Sequence, residues 1–110
     1  LEKVRSGQAL DAAHTQEFFR ILRLPKDSQL NKALPETVAI ADKPGSLEAV
    51  RCDSGIIELP GRPFIHAVMT SYLARDADGE RALEDVARLA YAYFDRLSRS
   101  SPYGRVISDK

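Results

Sequence analysis

The side chains that could carry acid–base, nucleophilic or metal chemistry are few in this chain. It contains two histidines, His14 and His66, and one cysteine, Cys52. Neither histidine has a ligand partner at the spacing of a metal site, and no Cys-x-x-Cys pair is present. The histidines are therefore expected to have ordinary surface or core roles, and Cys52 to be a small buried hydrophobic residue on a strand. The sequence predicts no metal site and no cofactor.

The segment Lys43-Pro44-Gly45-Ser46 is the most distinctive group of residues. It combines an ammonium group, a residue without an N–H and a residue without a side chain. A Lys-x-Gly triplet often occurs by chance, and a lysine at a strand end is by default solvated, so the segment acquires meaning only from the elements around it. Arg51 could bind a carboxylate in a bidentate manner, but we expect it to be an ordinary surface arginine.

Two helices can be predicted from apolar periodicity. Asp11 is a suitable N-cap for a helix that runs to about Leu24, just before Pro25. The last helix opens at Asp78-Gly79-Glu80, and its apolar residues recur at three- and four-residue steps. These apolar residues are Leu83, Val86, Ala90, Tyr93, Phe94 and Leu97, and the aromatic ones among them, together with Tyr91, are expected in the core.

Between these helices, three runs have strand character: Thr37–Asp42, Arg51–Leu59 and Phe64–Leu73. The segment Pro60-Gly61-Arg62-Pro63 is a strong turn signal between the second and third runs, and the link 44–50 is also short. Short connections imply antiparallel neighbours. The sequence therefore predicts an α+β fold with a helix, a three-stranded antiparallel meander and a C-terminal helix. Residues 26–35 are expected to form a loop with one turn around Leu30–Leu34.

The bulk properties restrict the class of protein. The chain has 110 residues, which fits one domain, and 16 basic residues balance 16 acidic ones. No basic surface is available for nucleic acid, and no apolar run reaches the roughly 20 residues of a membrane helix. Leu1–Gly7 resembles the last turns of a helix that ends at Gly7, so we expect a single partial domain from a longer protein, with residues 100–110 as a tail.

The order of elements resembles the C-terminal part of class A β-lactamases and the related penicillin-binding proteins. In that family a Lys-Thr/Ser-Gly strand is followed by two further antiparallel strands and a closing helix. The corresponding segments here are Val38–Ser46, Val50–Ile57, Phe64–Tyr72 and Ala82–Leu97. The resemblance covers nearly the whole chain in order and spacing, and it implies a partial β-lactamase-like fold.

The resemblance also implies roles for the segment 43–46. The family acylates an activated serine. Lys43 would place an ammonium beside that serine and the substrate carboxylate, Gly45 would let the substrate lie against the strand, and the Ser46 backbone N–H would be one of two oxyanion donors. The implied catalytic residue is Lys43, and the implied substrate-binding residues are Pro44, Gly45 and Ser46.

Two departures from the family pattern limit what is implied. Pro44 stands where the family has the Thr or Ser whose hydroxyl holds the substrate carboxylate. The family's Ser-x-x-Lys and Ser-Asp-Asn motifs precede this segment, and no serine of this chain has a lysine three places on. The chain is thus expected to be incomplete for catalysis alone.

The resemblance finally implies partners and a location. The partner would be the N-terminal part of the same protein or a second copy in a swapped dimer, and the substrate a small ester, amide or β-lactam. By resemblance alone, the location would be extracytoplasmic or secreted, in a bacterium. The alternative interpretation is a non-catalytic binding or assembly module with the same layout, which Pro44 and the missing nucleophile favour.

Overall fold

The computed structural model describes residues 1–105, which form four helices and three strands. In chain order these are α1 (Glu2–Arg5), α2 (Ala12–Leu22), α3 (Gln29–Ala33), β1 (Ile40–Leu47), β2 (Val50–Ile57), β3 (Phe64–Thr70) and α4 (Asp76–Ser98). The predicted α+β class is confirmed. Part of the predicted tail, residues 106–110, lies outside the described residues.

The three strands form one antiparallel sheet in the order β1-β2-β3, as predicted. Glu48 and Ala49 connect β1 to β2, and Ala49 has a φ of 57°. A residue with positive φ is common in two-residue hairpins because it matches the twist of the strands. The meander therefore rests on one tight hairpin and one longer connection, residues 58–63.

The predicted bounds of the first strand are wrong. Strand propensity predicted Thr37–Asp42 and a link over 44–50, but β1 runs over Ile40–Leu47 and contains the whole segment 43–46, close to the strand Val38–Ser46 that the family resemblance implied. Pro44 is tolerated because of its register. The Glu58 N–H donates to the Ala39 carbonyl at 2.9 Å, and hydrogen-bonded pairs alternate with non-bonded ones along an antiparallel ladder. The Pro44–Asp53 pair is thus non-bonded, and the missing N–H would face away from β2.

The predicted end of the third strand is also wrong. β3 ends at Thr70 rather than Leu73, and Tyr72 has a φ of 56° that turns the chain out of the sheet. Leu73 then donates its N–H to the Ala49 carbonyl at 3.1 Å. Its side chain lies so close to Gly79 that a Cβ there would be 2.4 Å from Leu73 Cδ1. The last residues of the predicted strand therefore serve as the connection that seats α4.

Packing differs between the two faces of the sheet. On one face, which we call the helix-covered face, Ile40, Ile57 and Phe64 form a core cluster with Leu30 of α3 and Ala87 of α4. On the other, the open face, α2 covers only one end, where Phe19 packs against Ala41 and Ile56. The open face therefore leaves most of its width uncovered by the described residues.

The helix ends are set by local side chains. The predicted N-cap Asp11 is confirmed, because its carboxylate accepts from the His14 N–H at 2.8 Å. Helix α2 ends at Leu22, two residues earlier than predicted, and the turn predicted near Leu30 is the helix α3. Helix α4 begins at Asp76, two residues earlier than predicted. Among residues 1–105, no helix is both long enough and apolar enough to cross a membrane.

Candidate functional site

The lysine of the candidate segment lies on the open face of the edge strand β1. Lys43 is exposed, and within residues 1–105 its ammonium makes one hydrogen bond, to the carbonyl of the adjacent Pro44 at 2.6 Å. Its neighbours across the sheet are small, namely Ser54 on β2 and then Ala67 on β3. Since Pro44 forms a non-bonded pair, its carbonyl points away from β2, and this hydrogen bond holds the ammonium at the outer edge of β1.

Gly45 lies on the same open face, directly across from Cys52. A Cβ at Gly45 would be 2.8 Å from Cys52 Sγ, so the half-buried thiol already fills the space that a side chain would need. The absence of a side chain at this position thus has a packing reason.

Ser46 contributes its backbone rather than its side chain to this edge. The Ser46–Arg51 pair, like Pro44–Asp53, is non-bonded in the alternation along β1 and β2. The Ser46 N–H consequently points away from β2, toward the uncovered edge of β1. The segment 43–46 thus combines an exposed ammonium on the open face with a backbone donor at the open edge.

Behind the segment, two carboxyl groups that the sequence analysis missed lie buried on the helix-covered face. Asp42 and Asp53 are both 0% exposed. Asp42 Oδ1 accepts from Lys26 Nζ and from Asn31 Nδ2, each at 3.2 Å. Asp53 Oδ2 accepts from the Leu30 N–H at 3.1 Å. The signal in the sequence is an aspartate at the end of one predicted strand run, Asp42, and another near the start of the next, Asp53.

The pKa of Asp53 is raised to about 6, chiefly because burial disfavours the charged carboxylate. The nearby charge of Asp42 raises this pKa further, and the Leu30 N–H opposes the shift by stabilising the carboxylate. A carboxyl group with such a pKa can change its charge near neutral pH.

Gly55 leaves the space in which Asp42 packs on the neighbouring strand. The two residues are directly opposite in the β1–β2 register. A Cβ at Gly55 would be 2.7 Å from both the Ala41 carbonyl oxygen and Asp42 Cβ. Because two of these contacts involve the backbone or the base of a side chain, any larger residue would push β1 away from β2.

Of three other polar residues, Arg51 differs from its predicted role, and the two histidines have the ordinary core and surface roles predicted for them. Arg51 is not an ordinary surface arginine, since it is mostly buried and pairs with Asp76 at 2.7 Å and with Glu80 at 3.1 Å. His66 is buried, and burial lowers its pKa, so the ring is neutral at physiological pH. His14 is exposed beside Asp11.

The described residues do not bring a metal site to Lys43. Residues 1–105 contain no group of three His, Cys, Asp or Glu side chains that could hold a metal ion. Two surface cavities lie elsewhere, one lined by α1 and the start of β3, the other by Val38, Leu59 and Tyr91. Neither is lined by the segment 43–46.

Solved structures with the same fold show how this part relates to larger proteins. The chain is similar to the structure described as PBP-A, with 25% identity and a TM-score of 0.78, and to a mutant of PBP-A solved as an acyl-enzyme complex with penicillin G. It is also similar to a beta-lactamase from Sphaerobacter thermophilus, with 25% identity and a TM-score of 0.77. Each match covers 84% of this chain but only 36% of the other chain, so the chain spans about a third of the length of these proteins.

No curated protein matches the chain. Residues 1–94, which include all three strands and most of α4, match the sequence profile of the beta-lactamase enzyme family. On this match, the chain belongs to the beta-lactamase enzyme family.

Proposed function

We propose that this chain supplies the β1 strand of a serine hydrolase active site whose nucleophile lies in the N-terminal part of the same protein. The observation that carries the proposal is the combination on one edge strand of an exposed ammonium, Lys43, and an outward backbone N–H, that of Ser46. The two groups belong to the same four-residue stretch of strand, which is the arrangement that acyl transfer at a strand edge requires.

In this function Lys43 and Ser46 have separate tasks. The Lys43 ammonium assists proton movement at the incoming serine and attracts the carboxylate of the substrate. The Ser46 N–H donates to the oxygen that becomes negative in the tetrahedral intermediate. The loss of one such donor typically raises the barrier by about 3–4 kcal/mol. Gly45 lets the substrate backbone approach the strand.

The described residues leave apolar side chains of the open face uncovered, and this surface supports the proposed partner. On the open face, Leu47 is 73% exposed and Met69 is 72% exposed. Apolar side chains exposed together on one sheet face are typical of an interface. The N-terminal part of the same protein would cover them and would bring the serine to Lys43.

The substrate class is a small ester, amide or β-lactam. The similar PBP-A mutant forms an acyl-enzyme with penicillin G, according to the description of its structure. In this chain, Pro44 has no hydroxyl for a substrate carboxylate, so we propose slower acylation by β-lactams than by an activated ester. Replacement of Pro44 by Thr restores the hydroxyl, and it should increase the rate of acylation by a fluorescent penicillin.

The first experiment concerns the gene and the full-length protein. The coding sequence upstream of Leu1 should contain a Ser-x-x-Lys motif, and the full-length protein should hydrolyse a p-nitrophenyl ester or form a penicillin adduct detected by mass spectrometry. Lys43→Ala should reduce the acylation rate by about 10²–10³-fold, the scale of losing one electrostatic contributor. The absence of the upstream motif would refute the proposal.

A matched lysine provides the control for this experiment. Lys32 pairs with the exposed Asp27 at 2.7 Å on the far side of α3 from the open face. Lys32→Ala should leave acylation unchanged. Equal losses in the two variants would mean that Lys43 has no specific role at the site.

The isolated 110-residue chain gives an independent test of the partner. It should not hydrolyse a chromogenic cephalosporin or a p-nitrophenyl ester. In size-exclusion chromatography with light scattering, it should associate into a swapped dimer or aggregate through the open face, unless an N-terminal fragment is added. A stable monomer that does not bind the fragment would favour a non-catalytic binding module.

A further inference from the structure

Two buried carboxyl groups directly behind the candidate site lack donors for one oxygen each. Asp42 precedes Lys43 in the chain, and Asp53 is opposite Pro44 in the β1–β2 register. Within residues 1–105, Asp42 Oδ2 and Asp53 Oδ1 are buried without any hydrogen-bond partner. A buried acceptor without a donor is costly, and a native structure generally satisfies it.

The donors that reach this pair are already used on the other two oxygens. Lys26 Nζ and Asn31 Nδ2 both donate to Asp42 Oδ1, and the Leu30 N–H donates to Asp53 Oδ2. One ammonium therefore faces two carboxyl groups. If both were ionised, the buried cluster would carry an uncompensated negative charge, which a buried site strongly disfavours.

Other charged groups nearby do not compensate it. Arg51, on the same face of β2, is engaged by Asp76 and Glu80 of α4. His66 of β3 lies beyond Gly55 in the register, and its pKa is lowered by burial, so it supplies no charge. Within residues 1–105, a proton on one of the two carboxyl groups supplies the missing donor without another molecule.

We infer that Asp42 and Asp53 hold one proton between them, and that this carboxyl–carboxylate hydrogen bond fixes the part of β1 that carries Lys43. The two groups lie within hydrogen-bonding reach of each other. Lys26 stabilises the carboxylate of Asp42, so Asp53 carries the proton on Oδ1 and donates it to Asp42 Oδ2. With the Lys26 ammonium, the cluster is then electrically neutral, and all four carboxyl oxygens take part in hydrogen bonds.

The hydrogen bond between Asp42 and Asp53 should make the position of β1 depend on pH. The pKa of Asp53 is raised to about 6 by burial and by the charge of Asp42. Above that pH the proton leaves, and two carboxylates repel each other across β1 and β2. Within the described residues β1 is paired on one side only, so it yields first. Asp42 and Asp53 are thus positioning residues for Lys43, and this role rests on the proposed function. The inference that they share a proton does not depend on the proposed function.

The experiment is a ¹³C NMR titration of the aspartate side-chain carboxyl groups in the full chain from about pH 3 to about pH 9. One aspartate should titrate near pH 6, well above the ordinary value of about 3.9. In Asp42→Asn the charge of Asp42 is gone and the new amide can donate to Asp53, so this titration should move below its wild-type pH, although burial still holds it above the ordinary value. The protection factors of the Lys43 and Gly45 amides, which correct for the intrinsic rise of exchange with pH, should fall above pH 6 in the wild type and stay constant in Asp42→Asn.

Further variants keep the test decisive if Asp42→Asn does not fold. Lys26→Met removes the compensating charge, so the two carboxyl groups should hold their proton more tightly and the titration should move above pH 6. Asp27→Asn removes an exposed carboxylate just before α3 and should change nothing.

Three results would overturn the inference. One is the absence of any aspartate that titrates above about pH 5 in the wild type. Another is a titration near pH 6 that persists unchanged in Asp42→Asn, since burial alone would then explain it. The third is a shift when tetramethylammonium replaces sodium, which would mean that a cation occupies the place of the proton. None of these readouts needs a substrate, so each can fail without affecting the proposed function.

Discussion

The two faces of the three-stranded sheet differ in how far they are covered. On the helix-covered face, Ile57 is 0% exposed beneath α3 and α4, whereas on the open face Met69 is 72% exposed. Successive side chains of a strand point to opposite faces of the sheet, so a buried residue can be followed directly by an exposed one. Asp42 is buried in the polar cluster, and the next residue, Lys43, is exposed. One face therefore stabilises the domain, and the other is the face to which the proposed function assigns the partner and the chemistry.

The largest expected contrast between the faces is in stability. Ile57→Ala should lower the free energy of unfolding by about 2–5 kcal/mol, because it leaves a cavity among Leu30, Phe64 and Ala87. Met69→Ala should change it by less than about 0.5 kcal/mol. Urea denaturation followed by circular dichroism measures both. Similar losses in the two variants would mean that the open face is covered in solution, for example by a second copy.

The second contrast is the pH dependence that the helix-covered face alone should confer. The pKa of Asp53 is about 6 in the folded protein against 3.8 as its ordinary value. A raised pKa means that the folded state binds the proton more tightly than the unfolded state. Its contribution to stability is therefore complete below about pH 4 and is lost as the pH rises through about 6, by at most about 3 kcal/mol.

Asp53→Asn should remove this decline between about pH 4 and about pH 7. Urea midpoints measured across that interval, in the wild type and in the variant, would show it. Parallel curves for the two proteins would contradict the expectation.

The third contrast concerns two glycines that face opposite sides of the sheet. Gly55→Ala should cost about 1–3 kcal/mol, since its Cβ would meet the backbone of β1 at 2.7 Å. Gly45→Ala meets the Cys52 sulfur at 2.8 Å, and this side chain can move. Its loss should be smaller, and it should be recovered in the Gly45→Ala/Cys52→Ala double variant. If Gly45→Ala is the more damaging of the two, the open face is more tightly packed than its exposure indicates.

The smallest expected effect on stability is at the candidate site itself. Lys43→Ala removes an exposed ammonium that bonds only to the carbonyl of Pro44 within the described residues. It should change the free energy of unfolding by less than about 0.5 kcal/mol while abolishing most activity of the full-length protein. Thermal unfolding monitored beside the acylation assay separates the two effects. A large loss of stability would make Lys43 a structural residue instead.

Local patterns made much of the fold predictable. The apolar periodicity of α4, the N-cap at Asp11 and the turn at 60–63 each depend on residues close in sequence, and the order of helix, meander and helix followed from them. The bounds of β1 could not be predicted in the same way. Pro44 is acceptable in a strand only where its nitrogen faces away from the partner strand, and that depends on register with β2.

Some side chains were assigned to the wrong environment for a similar reason. Tyr93 was expected in the core, but it is mostly exposed, while Tyr91 and Phe94 pack against the core cluster. Helical spacing identifies the residues of a stripe but not its edges. The edges depend on how far β3 and the connection before α4 extend beneath the helix.

The sequence by itself determined the family, the order of the elements and the segment that could do chemistry, because motifs and periodicities are local properties of the chain. Only the tertiary structure decided that Ser46 directs its N–H to an open edge, that Arg51 is held by α4, and that Asp42 and Asp53 face each other. These three outcomes depend on pairing between residues distant in the sequence. A shift of one residue in the β1–β2 register would exchange the two faces and undo all of them.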